Sequence, residues 1–360
     1  MSEPLTVKAY CLRVAPNLGE KAIRLAMGLE IMDKALKVRS DGGHLCVPLN
    51  QKPGPVHIAE FNETFKNYDI LVQDFSRHVK VHRNAYEIAG EKLPPHLLAS
   101  FPRAFDFVGD IAIVEIPAEL EEHKSLVGEA VLEAHKHAHT VLAKASAVSG
   151  MHRLREYEVI AGSPNTDTVH IENGCKYYLD LSKVYFSPRL SFEHSRVASQ
   201  VEENETVVDM FAGIGPFSVQ IARAHKDVKV YAVDVNPDAV EYLRRNIVAN
   251  GVLGKVVPIL GDAKEIIHSM LHGVADRVIM NLPEKAVEYL TAACEALKLQ
   301  GGVIHYYEFA ERQNRLEVIK KKLHEAFEQR GRRVEEFLSA RTVREIAPFR
   351  WQVAVDMRIC

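Results

Sequence analysis

Four short stretches carry side chains whose types and spacing suit ligand chemistry. The first is Asp209-Met210-Phe211-Ala212-Gly213-Ile214-Gly215-Pro216-Phe217. Gly213 and Gly215 let the backbone pass close to a ligand with no side chain in the way. The second is Asp234-Val235, where a carboxylate after an apolar run is placed to accept hydrogen bonds from ribose hydroxyls. The third is Asp262-Ala263, whose acid can accept from an exocyclic amine. The fourth is Asn281-Leu282-Pro283-Glu284, in which an amide offers a donor and an acceptor to a base edge and the proline stiffens the loop. A dinucleotide site would call for G-x-G-x-x-G, with the pyrophosphate at a helix N-terminus. Here the third glycine is missing and Pro216 removes an N–H near the helix start. The turn therefore suits a ligand without phosphates, and Asp209 suits a cationic one. Taken singly, each stretch also reads as an ordinary turn after a strand.

The elements that must position these residues follow from periodicity. Val207 to Met210 reads as a strand, and the helical period takes over from Phe217. Lys229 to Val233, Val256 to Leu260, Asp276 to Met280 and Gly302 to Glu308 read as successive strands. Leu316 to Glu328 reads as a long helix and Phe349 to Arg358 as a final strand. Ligands of open parallel sheets bind at the carboxyl ends of the strands. Turn 211–217, Asp234, Asp262 and Asn281 all fall at such ends, and that convergence outweighs any single motif. The fold class expected is α/β: a Rossmann-like domain over 196–360, mostly parallel with an antiparallel last strand, preceded by two small α+β domains at 1–75 and 76–195.

Within 1–75, residues 5–13 read as a strand, Glu20 to Leu29 as a helix, and the runs flanking Asp41-Gly42-Gly43 as a hairpin. Residues 49–100, with four prolines, read as linker plus a helix or two. Two strands about Gly109-Asp110, a helix from Lys124 to His135 and a hairpin about Asn173-Gly174 follow, then a helix from Ser191. The segment 151–196 interleaves Arg, Lys, Tyr and His, which suits phosphate contacts and base stacking. The net charge of -3 does not advertise nucleic-acid binding, so such a partner must be met by local patches. The five cysteines are scattered with no C-x-x-C, which indicates neither a disulfide framework nor a zinc ribbon; no metal is expected. No apolar stretch is long enough to span a bilayer and no signal peptide is evident, so no membrane is involved and a cytoplasmic location is expected.

The glycine turn followed by D-x-N-P resembles the S-adenosylmethionine site of class I methyltransferases. Seven motifs then occur in one order: R-x-R-E-Y-E-V-I-A-G (153–162), T-x-H-x-E-N-G (168–174), K-V-Y-F-S-P-R-L (183–190), D-M-F-A-G-I-G-P-F (209–217), D-V-N-P (234–237), R-V-I-M-N-L-P (277–283) and G-G-V-I-H-Y-Y (301–307). Together they resemble the archaeal and eukaryotic tRNA (guanine-N1)-methyltransferase family, which acts on the guanosine at tRNA position 37 and is unrelated to the bacterial knotted enzyme. The resemblance covers roughly 100–360; the N-terminal module matches only in size and place.

The resemblance implies a mechanism. N1 of guanine carries a proton at neutral pH, and the family places the base that removes it at Glu193. It places the donor for charge developing on O6 at Arg153. Asn281 and Pro283 would position the base, and Tyr185 would wall the pocket. The cofactor would contact His194, the turn from Asp209 through Phe211, Gly213 and Gly215, then Asp234-Val235, Asp262-Ala263 and Asn281. The implied partner is tRNA, touched at its anticodon stem-loop and outer corner by a monomer. Rivals within the class are an enzyme that also methylates a wyosine intermediate and an aminocarboxypropyl transferase at the same nucleotide. Outside it stands a non-catalytic tRNA-binding protein.

Overall fold

A computed structural model describes residues 6–77, 83–146, 150, 152–311 and 315–360. The chain divides into two compact units, 1–82 and 83–360. The expected divisions after 75 and after 195 fall at the end of one strand and inside one helix.

In the first unit, β1 (Thr6–Val14), β2 (Arg39–Asp41), β3 (His44–Leu49) and β4 (Asp69–Ser76) form an antiparallel sheet in the order β2-β3-β1-β4. Helices α1 (Gly19–Gly28) and α2 (Pro55–Thr64) accompany it, and Ala22, Ala26 and Phe61 are buried with Leu12 and Val47. Leu5, the first residue of the expected strand, lies outside the described residues. Strand β4 was not anticipated: its pattern Asp69-Ile70-Leu71-Val72-Gln73-Asp74 lacks alternation, and prolines upstream pointed to linker.

The second unit begins with short helices α3 (Ala85–Ala89) and α4 (Pro95–Leu98). A four-stranded sheet follows, made of β5 (Asp106–Val108), β6 (Ile111–Val114), β7 (Thr140–Lys144) and β8 (Tyr157–Gly162), with α5 (Lys124–Ala134) packed on it. The pair β9 (Asp167–Glu172) and β10 (Cys175–Asp180) is the expected hairpin. Asn173 and Gly174 both have positive φ, as a tight primed turn requires. Helix α6 (Ser191–Gln200) runs through the expected boundary at 195 because it packs along α7 (Pro216–Ala224) of the next domain.

The large sheet contains, among the described residues, β11 (Thr206–Asp209), β12 (Lys229–Asp234), β13 (Val256–Leu260), β14 (Arg277–Met280), β15 (Gly302–Ala310), β16 (Val334–Ala347) and β17 (Arg350–Ile359). Their order is β13-β12-β11-β14-β15-β17-β16, parallel through β15, with β17 antiparallel to its neighbours as expected. Helices α8 (Pro237–Ala249), α9 (Ala263–Met270), α10 (Leu290–Ala296) and α11 (Arg315–Glu328) connect the strands. Strand residues alternate between two cores. Val207, Ile279 and Tyr307 join Phe217 and Leu243 on one face; Val208, Val278 and Tyr306 join Ile267, Leu290 and Leu323 on the other. Strand β16 was not anticipated. Its fourteen residues are exposed or half-buried, apart from Val334, and carry four register shifts, which break the period of two.

Two asparagines, Asn246 on α8 and Asn250 at its C-terminal cap, fasten the β9–β10 hairpin to this domain. Asn250 accepts from the Lys176 N–H at 2.8 Å and donates to the Lys176 carbonyl at 2.7 Å. Asn246, one turn earlier, accepts from the Tyr178 N–H at 2.7 Å and donates to the carbonyls of Tyr178 and Ile214. A four-residue helix step rises ~6 Å and a two-residue strand step ~6.6 Å, so the amides act as a missing strand neighbour. Replacing Asn246 by Ala strands buried backbone groups on β10 and in the glycine turn. The expected cost is roughly 2–4 kcal/mol in urea unfolding, well above the ~0.5 kcal/mol typical of surface sites.

Candidate active site at the switch point of the sheet

Strand order reverses between β11 and β14, and open α/β sheets bind ligands at such a point. A cavity opens there. Among its lining residues are Arg153, Tyr185, His194, Phe211, Gly213, Asp234, Val235, Asp262, Ala263, Asn281 and Pro283. Of the residues expected at the site, Glu193, Asp209 and Gly215 do not line it.

The turn after β11 is built as its sequence requires. Gly215 has φ 92°, and a Cβ there would meet Leu243 at 2.4 Å, so glycine is needed for backbone and packing alike. Pro216 occupies the first turn of α7. The Gly213 N–H donates to Asp234 Oδ2 at 2.7 Å, and the Asn236 N–H donates to Oδ1 at 2.9 Å. These bonds stake the second-strand carboxylate over the turn. Burial raises the Asp234 pKa despite them. Each oxygen keeps a further acceptor site, which suits hydroxyl donors. Asp262 caps α9 through the Lys264 N–H at 2.8 Å and accepts from the Tyr289 hydroxyl at 3.1 Å. Tyr289 stands edge-on to Phe211 at 4.9 Å.

His194 is buried against Phe217, their rings 4.6 Å apart. Its Nδ1 lies 2.7 Å from Glu172 Oε1, which also accepts from Gln220 Nε2 at 2.7 Å. With Nδ1–H donating to Glu172, the ring is oriented with Nε2 as the nitrogen left for a ligand. The E-N-G motif thus finds a role: Glu172 orients the ring, and Asn173 donates to the Ser191 carbonyl at the start of α6.

Arg153 approaches from the segment before β8, with a left-handed φ of 55° that a non-glycine residue adopts at a cost of ~1–2 kcal/mol. Its guanidinium lies 3.4 Å from Glu284 and over the Tyr185 ring at 5.3 Å. The N-L-P loop and the 183–190 segment therefore meet at this arginine.

Glu193 departs from expectation. Its side chain is 2 % exposed and turned into an ion cluster behind the cavity wall. Oε2 accepts from Arg196 Nε at 3.1 Å, Arg196 Nη2 at 3.0 Å and the Tyr307 hydroxyl at 2.9 Å, while Oε1 pairs with Arg341. Arg196 also pairs with Asp356, whose Oδ1 lies 2.7 Å from His305 Nδ1. His305 Nε2 accepts from Arg277 Nη1 at 2.9 Å, and Arg277 is forked onto Glu205 at 2.7 and 2.9 Å. Burial lowers the His305 pKa, so the ring is neutral and the three carboxylates balance the three guanidiniums. Two guanidiniums outcompete an open cavity for a carboxylate, which is why Glu193 faces inward.

Asp209 also lies beneath the cavity rather than in it. It is fully buried, accepts from Ser218 Oγ at 2.7 Å, and leaves Oδ1 without a hydrogen-bond partner among the described residues. Burial pushes its pKa up to about 7. Sequence reading missed Arg344 and Gln352, which reach the cavity from β16 and β17; the alternation of β17 was visible, its destination was not. Below pH ~4 the carboxyl is protonated whether folded or not. Between ~4 and ~7 the folded chain keeps a proton that the unfolded chain releases, so stability falls as pH rises through that window. Asp209→Asn removes the effect. Its unfolding free energy, measured by urea titration from pH 4 to 8, is expected to fall less, the gap over the native chain growing to roughly 1–4 kcal/mol and levelling off above pH ~7.

Comparison with known proteins places this geometry. The model of the TRM5/TYW2 methyltransferase domain matches residues 168–335, the TYW2 N-terminal domain 85–166, and the tRNA methyltransferase 5 N-terminal domain 11–56. The N-terminal module thus matches by sequence, beyond the size and place expected of it. The chain is 38% identical over 348 residues to tRNA (guanine(37)-N(1))-methyltransferase Trm5b of Pyrococcus abyssi, spanning 97% of this chain and 98% of that one. It superposes on the complex structure of aTrm5 and tRNALeu with TM-score 0.68, at 32% identity, covering 97% of this chain and 99% of that one. It also superposes on Methanocaldococcus jannaschii TYW2 in complex with AdoMet with TM-score 0.55, at 32% identity, covering 71% and 99%. With a doubly wound sheet, a phosphate-free glycine turn and a full-length relative at this identity, the chain belongs to the Trm5/TYW2 methyltransferase family.

Proposed function

We propose that the chain transfers a methyl group from S-adenosylmethionine to N1 of the guanosine at position 37 of tRNA. The observation that carries this reading is the meeting, at one cavity, of the glycine turn with Asp234 and of Arg153 with the N-L-P loop, in a chain of this family. The residues fit the cofactor. Asp234 has acceptor capacity left for ribose hydroxyls, Pro216 leaves no phosphate cradle, and His194, oriented by Glu172, offers its second ring nitrogen to a polar group of the ligand. When bound, the cofactor supplies an electrophilic methyl on a positively charged sulfur.

This chain's residues supply the rest. Asn281 and Pro283 seat the guanine, and Tyr185 walls it. As the N1 proton leaves, negative charge spreads onto O6, where the Arg153 guanidinium stabilises it by donating a hydrogen bond until the N1–methyl bond has formed. Arg153 is poised but engaged with Glu284, so substrate exchanges one acceptor for another. The N1 proton passes to Glu193, which first exchanges its tie to Arg341 for the cavity. Arg341 is the partner free to leave, its side chain 26% exposed against 11% for Arg196. Its release couples base activation to tRNA binding, because a phosphate competes with Glu193 for a guanidinium. Residues 1–75 form a recognition module for the outer corner of the tRNA, 76–195 supply Arg153, Tyr185 and Glu193, and 196–360 hold the cofactor. The protein acts as a monomer.

Single-turnover transfer of labelled methyl to an unmodified tRNA tests these roles. Glu193→Gln is expected to slow transfer ~10²–10⁴-fold and Arg153→Ala ~10²-fold, with tRNA affinity within about threefold. A Glu193→Gln enzyme whose rate rises with pH as the native one does would remove Glu193 from the role of base. Arg153→Ala that merely weakens tRNA binding would make Arg153 a phosphate contact.

A further inference from the structure

The last two strands carry a chain of side chains that ends on Asn281. Strands β16 and β17 pair with a register shift between Thr342 and Arg344. Thr342 faces Val353, and the next residue of β17, Gln352, is met by Arg344 rather than Val343. An extra residue in one strand re-aims the side chain that follows it, and residues directly opposite share a face. Arg344 Nε donates to Gln352 Oε1 at 3.0 Å, and Gln352 Nε2 donates to Asn281 Oδ1 at 3.3 Å. The same guanidinium donates through Nη1 to Ser187 Oγ at 2.7 Å and reaches the Tyr185 hydroxyl through Nη2 at 3.4 Å. Arg344, Gln352 and Asn281 all line the cavity.

The chain has a fixed polarity. A guanidinium has donors and no acceptor, so Gln352 must turn its oxygen to Arg344. Its NH2 group then faces Asn281, which must turn its own oxygen to Gln352. Gln352 is 2% exposed, so solvent offers it little alternative. The Asn281 Nδ2 is left without a hydrogen-bond partner among the described residues. We propose that Arg344 and Gln352 are positioning residues for methyl transfer: they fix the Asn281 amide with Nδ2 as the end offered to the guanine, and they brace the Tyr185–Ser187 wall opposite. This inference rests on Asn281 seating the guanine. An amide set this way offers a donor to an acceptor on the base, such as O6.

The test is a double-mutant cycle in single-turnover methyl transfer at saturating cofactor and tRNA. Gln352→Glu keeps the side chain's size and its bond to Arg344 but has no donor for Asn281 Oδ1. It is expected to slow transfer ~10–100-fold while the dissociation constants of cofactor and tRNA stay within about threefold. In an Asn281→Ala background the same change is expected to have no further effect, because it acts through the residue already removed. Arg344→Lys, at a half-buried position where folding is less at risk, is expected to follow the same pattern. Native rates in Gln352→Glu, or an equal loss in the Asn281→Ala background, would overturn the relay. A native rate in Asn281→Ala alone would overturn the seat on which the relay depends; melting temperatures within a few degrees of the native chain exclude unfolding as the cause of any loss.

Discussion

Everything at the site depends on a constraint of parallel sheets. Each strand of β11 to β15 must return to the same edge before it can pair, and its connection crosses one face or the other. Between β11 and β14 the direction of winding reverses, so α7 and α8 sit on one core and α9 to α11 on the other. Among the described residues, no connection between these strands fills the cavity at the carboxyl ends at that point. The glycine turn and the N-L-P loop emerge side by side there, with their polar groups toward the gap. Asp234 ties the first of these to the neighbouring strand, and Gln352 reaches the second. The geometry is thus set by chain direction first and by hydrogen bonds second.

The modules preceding the sheet are fixed to it by polar groups as much as by packing. Asn246 and Asn250 replace a strand partner for the hairpin, which in turn carries Glu172 to His194. Helix α6 places His194 and Glu193 on adjacent residues with opposite surroundings. The histidine meets the cavity wall, and the glutamate meets a cluster in which three acids and three guanidiniums balance around neutral His305. A buried pair of this kind contributes little net stability, and its loss on one side is costly. The structure shows the Glu193 carboxylate in the paired position, so the proposed role as base requires its release toward the cavity. That is why the proposed role for Glu193 is a gated one rather than a standing one.

Much of this was legible in the sequence. The five parallel strands announced themselves through short apolar runs ending in acidic or amide residues, and the glycines through spacing. Asp234, Asp262 and Asn281 reach one cavity because strand ends are fixed by topology, which a pattern of strands and helices encodes. The missed features share a physical cause. Strand β16 is polar, edge-placed and repeatedly bulged, so its period is broken, and Arg344 owes its position to one such bulge. Strand β4 lacks alternation. The orientation of Glu193 depends on Arg196, one helical turn away, and on Arg341 and Tyr307, which lie at sequence separations no local pattern reports.

The most direct measurement is nucleoside analysis by mass spectrometry of unmodified tRNA incubated with the protein and S-adenosylmethionine. The result expected is 1-methylguanosine at position 37 and an unmodified nucleotide everywhere else. Methylation of another atom or position, an aminocarboxypropyl group in place of the methyl, or tRNA recovered unchanged while bound would contradict it.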